Sequence, residues 1–325
     1  MKRKMFILFL FSTAFFITES CEESFTPYGK FATKYSLNFI VRSDTSLQVA
    51  TVFKSYPLNN NSNVENRNKS FVHNAFIRLW NGKDVVYFLR DSTMVDTSSG
   101  MTLSYYYTNE YKPQPGDNLQ VEALLPDGNR LKSSTKLPGK ITTDSRRSSG
   151  IIPSKNGKTV TFAWKPDLNT NPFEENQVFI PTLYLVYKQK IGQNEVLKKI
   201  NIPWKYQVKN GSEVGINKPP NVTPQINYSM KNFAKVLKSI SKGDKNKENY
   251  TILSAVLYIK VLDKNLSEYY LSSKRIFDNF SIRLDVQDFS NITNGFGIFG
   301  SVIEQKIALV FDKTYISTFG YQSPL

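Results

Sequence analysis

One histidine, His73, and one cysteine, Cys21, occur in the 325-residue chain, and these two counts limit the chemistry on offer. A Ser-His-Asp or Cys-His nucleophilic arrangement would have to route its proton through His73. Metal sites built from several histidines or cysteines are excluded. His73 lies in FVHNAFIRLW, where His73, Ala75, Ile77 and Leu79 fall on alternating positions of a strand, which favours a structural place for the ring over a catalytic one. Carboxylate chemistry needs only two acids facing each other across a cleft. The pairs Glu174 with Glu175 and Asp285 with Asp288 sit in Asn-rich turns or at strand ends and follow no catalytic spacing. No P-loop is present, and although the glycines of GFGIFG (295–300) have GxGxxG spacing they are followed by no helix signal, which speaks against a phosphate cradle. Trp80, Trp164 and Trp204 would stack on a sugar if one were bound, although burial in the core is the default for Trp164. The chain is therefore expected to be no enzyme and to need neither cofactor nor metal, with a carboxylate-dependent hydrolase as the least favoured alternative.

Cys21 has a different chemistry. Lys2, Arg3 and Lys4 precede an apolar run from Met5 to Ile17, and small or polar residues follow up to Ser20. That is a charged region, a hydrophobic region and a cleavage zone, the anatomy of a secretory signal. The run is too short to span a bilayer, which takes about 20 apolar residues. A cysteine at the cleavage point offers a thiol for diacylglyceryl transfer, so residues 1–20 resemble a bacterial lipoprotein signal with Cys21 as the lipid attachment site. Ser20 and Ile17 fit the lipobox; Thr18 and Glu19 depart from its usual filling. Several acyl chains, each contributing about 0.8 kcal/mol per buried CH₂, would hold the protein to a membrane. Glu22 and Glu23 just after the cysteine point to the outer face of an outer membrane in preference to its periplasmic face, and residues 21–30 read as a solvated tether.

A formal net charge of +15 would suit anionic polysaccharide, a lipopolysaccharide leaflet or nucleic acid. The lysines are spread among Asn and Ser with no dense block, so a solvated surface is the preferred reading and no nucleic-acid partner is expected. Asn-x-Ser/Thr triplets, such as those at Asn221, Asn249 and Asn291, are expected by chance in so Asn-rich a chain.

The elements that must position these residues are strands. Short alternating runs separated by turn clusters follow one another: SLNFIVRSD, LQVATVFKSY, VHNAFIRLW, VVYFLRD, TLSYYYTNEY, then LQVEALL and RLKSSTKLP joined by PDGN, a hairpin cue because Asp-Gly accepts positive φ. Residues 139–157, rich in Gly, Ser, Thr, Arg and Lys, read as a linker. KTVTFAWKPD then puts Val160, Phe162 and Trp164 on one face, and YTILSAVLYIKVLD is the most hydrophobic strand, expected at the centre of its sheet. One amphipathic helix is expected over 224–242. Ile226, Met230, Phe233, Leu237 and Ile240 form its apolar stripe, Thr223 its cap, Pro224 its first turn and Gly243 its end; Lys231, Lys235, Lys238 and Lys242 lie on the solvated side. NLSEYYLSSKR reads as a short helical stretch, and FDNFSIRLDV and SVIEQKIALVFDKTYI as closing strands.

The fold class expected is mainly β: two antiparallel sandwiches of immunoglobulin or fibronectin III-like kind, with the helix inserted in the second. The boundaries are 1–20 signal, 21–30 tether, 31–138 first sandwich, 139–157 linker and 158–325 second sandwich. A transmembrane β-barrel is disfavoured by the helix and by strands apolar on both faces, such as TILSAVLYIKV. The combination of Cys21, LQVEALLPDGNRLKSSTKLP, KVLDKNLSEYYLSS and above all SNITNGFGIFGSV resembles a family of outer-membrane lipoproteins of Gram-negative bacteria, known as a domain of unknown function and often encoded beside TonB-dependent receptors. In GFGIFG, the glycines are expected to permit backbone conformations closed to other residues, with Phe296, Ile298 and Phe299 anchored in the core. The resemblance implies the fold and the outer-membrane location and leaves activity open. The function expected from the whole reading is that of a surface protein serving as accessory or binding module of a TonB-dependent uptake system, with a polysaccharide or other nutrient as ligand. The alternative is an adhesin or structural assembly subunit.

Overall fold

The computed structural model describes residues 32–55, 70–83, 85–95, 102–155, 157–167, 172–275 and 289–324. Cys21 with its signal and tether, most of the Asn-rich 57–70 stretch, all of FDNFSIRLDV and the Asp285–Asp288 pair lie outside them. The fold is mainly β. Up to residue 143 the strands are β1 (Tyr35–Arg42), β2 (Gln48–Lys54), β3 (Phe76–Trp80), β4 (Val86–Val95), β5 (Thr102–Thr108), β6 (Asn118–Leu124), β7 (Arg130–Lys136) and β8 (Ile141–Thr143). After them come β9 (Thr159–Pro166), β10 (Phe179–Ile191), β11 (Asn194–Ile202), β12 (Lys205–Lys209), β13 (Ser212–Ile216), β14 (Gln225–Ser229), β15 (Tyr250–Leu262) and β16 (Phe296–Val310). The helices are α1 (Met230–Ile240), α2 (Lys264–Arg275) and α3 (Lys313–Ser317). Period-2 alternation decides which face each strand buries: on β1, Leu37, Phe39 and Val41 are buried while Asn38, Ile40 and Arg42 are exposed.

One 11-stranded sheet runs in the order β11-β10-β15-β16-β1-β2-β5-β4-β3-β6-β7. All its neighbours are antiparallel except β1 and β16, which pair in parallel with Phe39 opposite Phe299. The first strand thereby joins the last, and the sheet is shared by the stretches 31–138 and 158–325. β15 lies between β10 and β16, in the interior place its hydrophobicity predicts. The sheet bends at β4, whose Val86–Leu89 part pairs with β3 while Arg90–Val95 pairs with β5. Beyond the bend, β3, β6 and β7 fold back, so that Leu79, Val121 and Leu131 join Leu37, Phe39 and Val52 in one buried cluster. A smaller sheet, β14-β9-β8, and α1 form a further layer on the other half, giving a sandwich-like arrangement. Trp164 meets Phe179 edge-on at 5.3 Å, and Phe233 meets Phe311 at 6.1 Å.

Three expectations need correction. Residues 225–229 are strand β14, paired with β9, and the helix starts at Met230 with Ser229 accepting from the Lys231 amide. Ile226 and Tyr228 are buried alternately, so the spacing of Ile226 to Met230 imitated a helical stripe across a strand-to-helix junction. Lys231, Lys235 and Lys238 are exposed, as the stripe implied for its solvated side. His73 lies ahead of β3 in place of sharing its alternation; Asn74 has φ 59°, and the His73 ring is half exposed, with Nδ1 3.1 Å from Asp91. Phe296 is 50 % exposed, whereas Ile298 and Phe299 are buried. The stretch 139–157 contains β8 and continues along the edge of β9. There the Ser149 amide donates to the Thr161 carbonyl at 2.8 Å, while Ser148 Oγ accepts from the Ala163 amide at 2.9 Å and Ser149 Oγ from the Thr161 amide at 3.0 Å, so side-chain hydroxyls supplement the backbone bonds along this edge.

Candidate functional site

The folded-back strand β7 ends its sheet, and its free edge is closed by the segment before β16 and by α2. Lys132 and Thr293 exchange backbone hydrogen bonds, Ser133 Oγ donates to the Asn291 carbonyl at 2.8 Å, and Asn265 Nδ2 donates to the carbonyls of Ser134 and Phe299 at 3.0 and 3.1 Å. Beneath these bonds lies Asp263, 2 % exposed. Its carboxylate caps α2 by accepting from the Leu266 amide at 2.8 Å, accepts from the Ser301 amide at 2.8 Å, and takes the Thr135 hydroxyl. Burial pushes this carboxyl up to about 6, even though every one of these donors favours the charged form. The Asp263 side chain thus ties β7, α2 and β16 together at one point.

An open groove of about 700 Å³ lies over this seam on the outer face of β3, β6 and β7, and a second lobe of about 490 Å³ adjoins it. Both lobes are lined by Trp80, Gln120, Ser134 and Asn265. The strand register explains the arrangement, because cross-strand partners stand side by side on one face. One row reads Arg78, Glu122, Lys132 and the next Trp80, Gln120, Ser134. Glu122 is held by Arg78 at 3.0 Å, Lys132 at 3.4 Å and Arg130 at 3.6 Å. Its partial burial alone would raise its pKa; hydrogen bonds from Arg78 and Lys132 and the charge of Arg130 outweigh this and keep it below the usual carboxylate range. Trp80 is 38 % exposed and its Nε1 donates to the Lys83 carbonyl at 2.5 Å. The polar atom of the indole is therefore used internally, and what the ring offers the groove is its aromatic surface.

Over residues 26–307 the sequence matches the model of a family described as a domain of unknown function, DUF4249. The chain belongs to the DUF4249 family. No curated protein matches it. The SNITNGFGIFGSV motif of this DUF4249 chain builds the seam. Asn291 uses both ends of its amide on Phe299, donating to its carbonyl at 2.7 Å and accepting from its amide at 2.9 Å. Its place in an Asn-x-Thr triplet is thus structural.

Of the residues singled out from sequence, Trp80 alone among the tryptophans lines the groove. Trp164 is fully buried, and Trp204 is covered by Lys218 and Lys205, 4.1 and 5.2 Å from its ring centroid. Glu174 lines the second lobe, while Glu175 is exposed on the neighbouring turn. His73 pairs with Asp91 away from the groove lining. The residues that sequence reasoning missed are Arg78, Gln120, Glu122, Lys132 and Asn265. The first four are the outward positions of VHNAFIRLW, LQVEALL and RLKSSTKLP, so strand alternation carried the signal, whereas the neighbour relation of β3 to β6 did not show in local sequence.

Proposed function

We propose that this protein is a lipid-anchored outer-membrane surface protein that serves as the accessory or binding module of a TonB-dependent uptake system, and that its ligand sits in the groove on β3, β6 and β7. The single observation carrying the binding role is the exposed Trp80 ring set beside the planar and charged groups of Arg78, Gln120, Glu122 and Asn265 in an open trough. Such sites combine an apolar platform with a few placed polar groups. The anchor is supported by the signal-like run of residues 1–20 and by Cys21, and the transporter link by the family resemblance. The groove holds its ligand away from the membrane on a rigid sheet, and the acyl chains keep it within reach of a receptor barrel. No residue is assigned a catalytic role.

The test is fractionation and metabolic labelling of the full chain. The wild-type protein is expected to incorporate radiolabelled palmitate and to sediment with outer membranes, and Cys21→Ser to lose both. A serine variant that is processed and partitions like the wild type would remove the anchor and, with it, the surface placement.

A further inference from the structure

We infer that the groove selects an acidic oligosaccharide, a sugar chain bearing carboxylate or sulfate groups, with Trp80 stacking on one ring and Arg78 and Lys132 meeting the anion. The inference rests on the binding role proposed for the groove and names the ligand class. Its first ground is charge. Glu122 is the one carboxylate among the lining residues of the larger lobe, and Arg78, Lys132 and Arg130 all surround it. One carboxylate cannot neutralise three cations, and Arg78 and Lys132 keep about half of their side-chain surface exposed. In the second lobe Lys136 and Lys264 stand with Glu174, and Lys264 pairs with Glu268 at 3.9 Å, so the surplus is that of the larger lobe. The trough therefore carries surplus positive charge, which a neutral sugar would leave uncompensated.

The second ground is shape and orientation. Glu122 holds the Arg78 guanidinium through Nη2, which fixes the plane of the fork and leaves donors on its other edge for a planar carboxylate or a sulfate. A strand rises about 3.4 Å per residue, so Trp80 and Arg78, two residues apart on β3, present an aromatic surface and a cation about 7 Å apart, which lets one sugar ring stack while an acidic substituent reaches the cation. The apolar C–H face of a pyranose packs on the indole surface, while the Gln120 amide and the Asn265 Oδ1, whose amide nitrogen is already bonded to the Ser134 and Phe299 carbonyls, flank it with groups suited to hydroxyls. Among the described residues, no cation or ring packs over Trp80, in contrast to the covered Trp204.

The experiment uses the full chain in detergent and two pairs of probes, each read by calorimetric titration: tetragalacturonate against its methyl ester, and a heparin-derived tetrasaccharide against its desulfated, N-acetylated, carboxyl-reduced form. At least one acidic probe is expected to bind about tenfold or more tighter than its neutral partner at low salt, with the advantage shrinking as salt rises. Trp80→Ala should weaken the acidic probe about tenfold or more, and Arg78→Ala with Lys132→Ala should erase the difference between partners. Lys199→Ala with Lys306→Ala, which removes two cations that lie over Tyr184 and Tyr258 outside the groove, should change nothing. Circular dichroism of each variant confirms folding. The inference is overturned if neither acidic probe outbinds its partner, or if the Lys199 and Lys306 variant loses as much affinity as the groove variant, since net charge alone would then be responsible. Trp80-dependent binding of the neutral partners at equal strength would remove the acidic class and leave the binding module standing, whereas the anchor is judged separately by Cys21→Ser.

Discussion

Asp263 shows how a single buried carboxyl reports on the seam. Its pKa is raised by burial from the ordinary 3.8 to about 6, so between about pH 4 and pH 6 the folded protein holds a proton that the unfolded chain has released. Stability contributed through this group is therefore greatest at the acidic end, falls as pH rises through the window and is flat above it. The displacement corresponds to something on the order of 3 kcal/mol. Asp263→Asn removes the titration while keeping one acceptor for the amides of Leu266 or Ser301. The variant is expected to be less stable than the wild type throughout, with the gap largest near pH 4 and smaller by pH 7, as measured by urea midpoints across that range. A gap that widens toward neutral pH would show that the ionised form is the stabilising one and that the hydrogen bonds outweigh burial.

At the scale of elements, the start of β16 depends on backbone that only glycine supplies. Gly297 has φ +105°, and a Cβ there would run into the Leu37 carbonyl of β1. Gly128, in the turn between β6 and β7, has φ +87° but open space around its Cβ position. Both alanine variants pay the left-handed strain of about 1–3 kcal/mol, and Gly297→Ala adds a clash that would displace the β1–β16 pairing. Thermal denaturation should therefore show a loss of several degrees for Gly128→Ala and a clearly larger one for Gly297→Ala. Gly297 of GFGIFG was legible as a conformational device, and Asp-Gly as a hairpin, because each depends only on local dihedral geometry; Gly295 and Gly300 have no positive φ and are required instead because a Cβ there would meet Leu131 and Leu266. Phe296 was misplaced because burial depends on what covers it: α2 packs Leu266 on Ile298, and nothing among the described residues does so for Phe296, which carries Lys34 5.1 Å from its ring centroid. The groove was half legible. Alternation pointed Arg78, Gln120 and Glu122 outward, but their meeting requires the pairing of β3 with β6 across 40 residues of chain, a fact set by the whole sheet and absent from any window of sequence.

For the whole molecule, the consequence of the shared sheet is cooperativity. Division at 139–157 into two sandwiches would let each half unfold at its own denaturant concentration. The β1–β16 ladder, the Thr135 to Asp263 bond and the Lys132 to Thr293 bridge instead place contacts between the halves inside the same hydrogen-bond network that holds each together. Two single-tryptophan proteins can read the outcome: one retains Trp80 on β3, the other Trp164 in the buried core of β9, the remaining tryptophans being changed to Phe. In each, the urea midpoint by fluorescence should coincide with that by far-ultraviolet circular dichroism. Phe39→Ala removes a fully buried ring that meets Phe299 at 5.4 Å and should cost about 3–5 kcal/mol. It lies in the N-terminal stretch, yet it should lower the Trp164 midpoint as much as the Trp80 midpoint. Separate midpoints, with Trp164 untouched by Phe39→Ala, would show that the seam is a contact between independent units; a common shift would mean that a ligand bound over β7 stabilises the sheet as far away as β11.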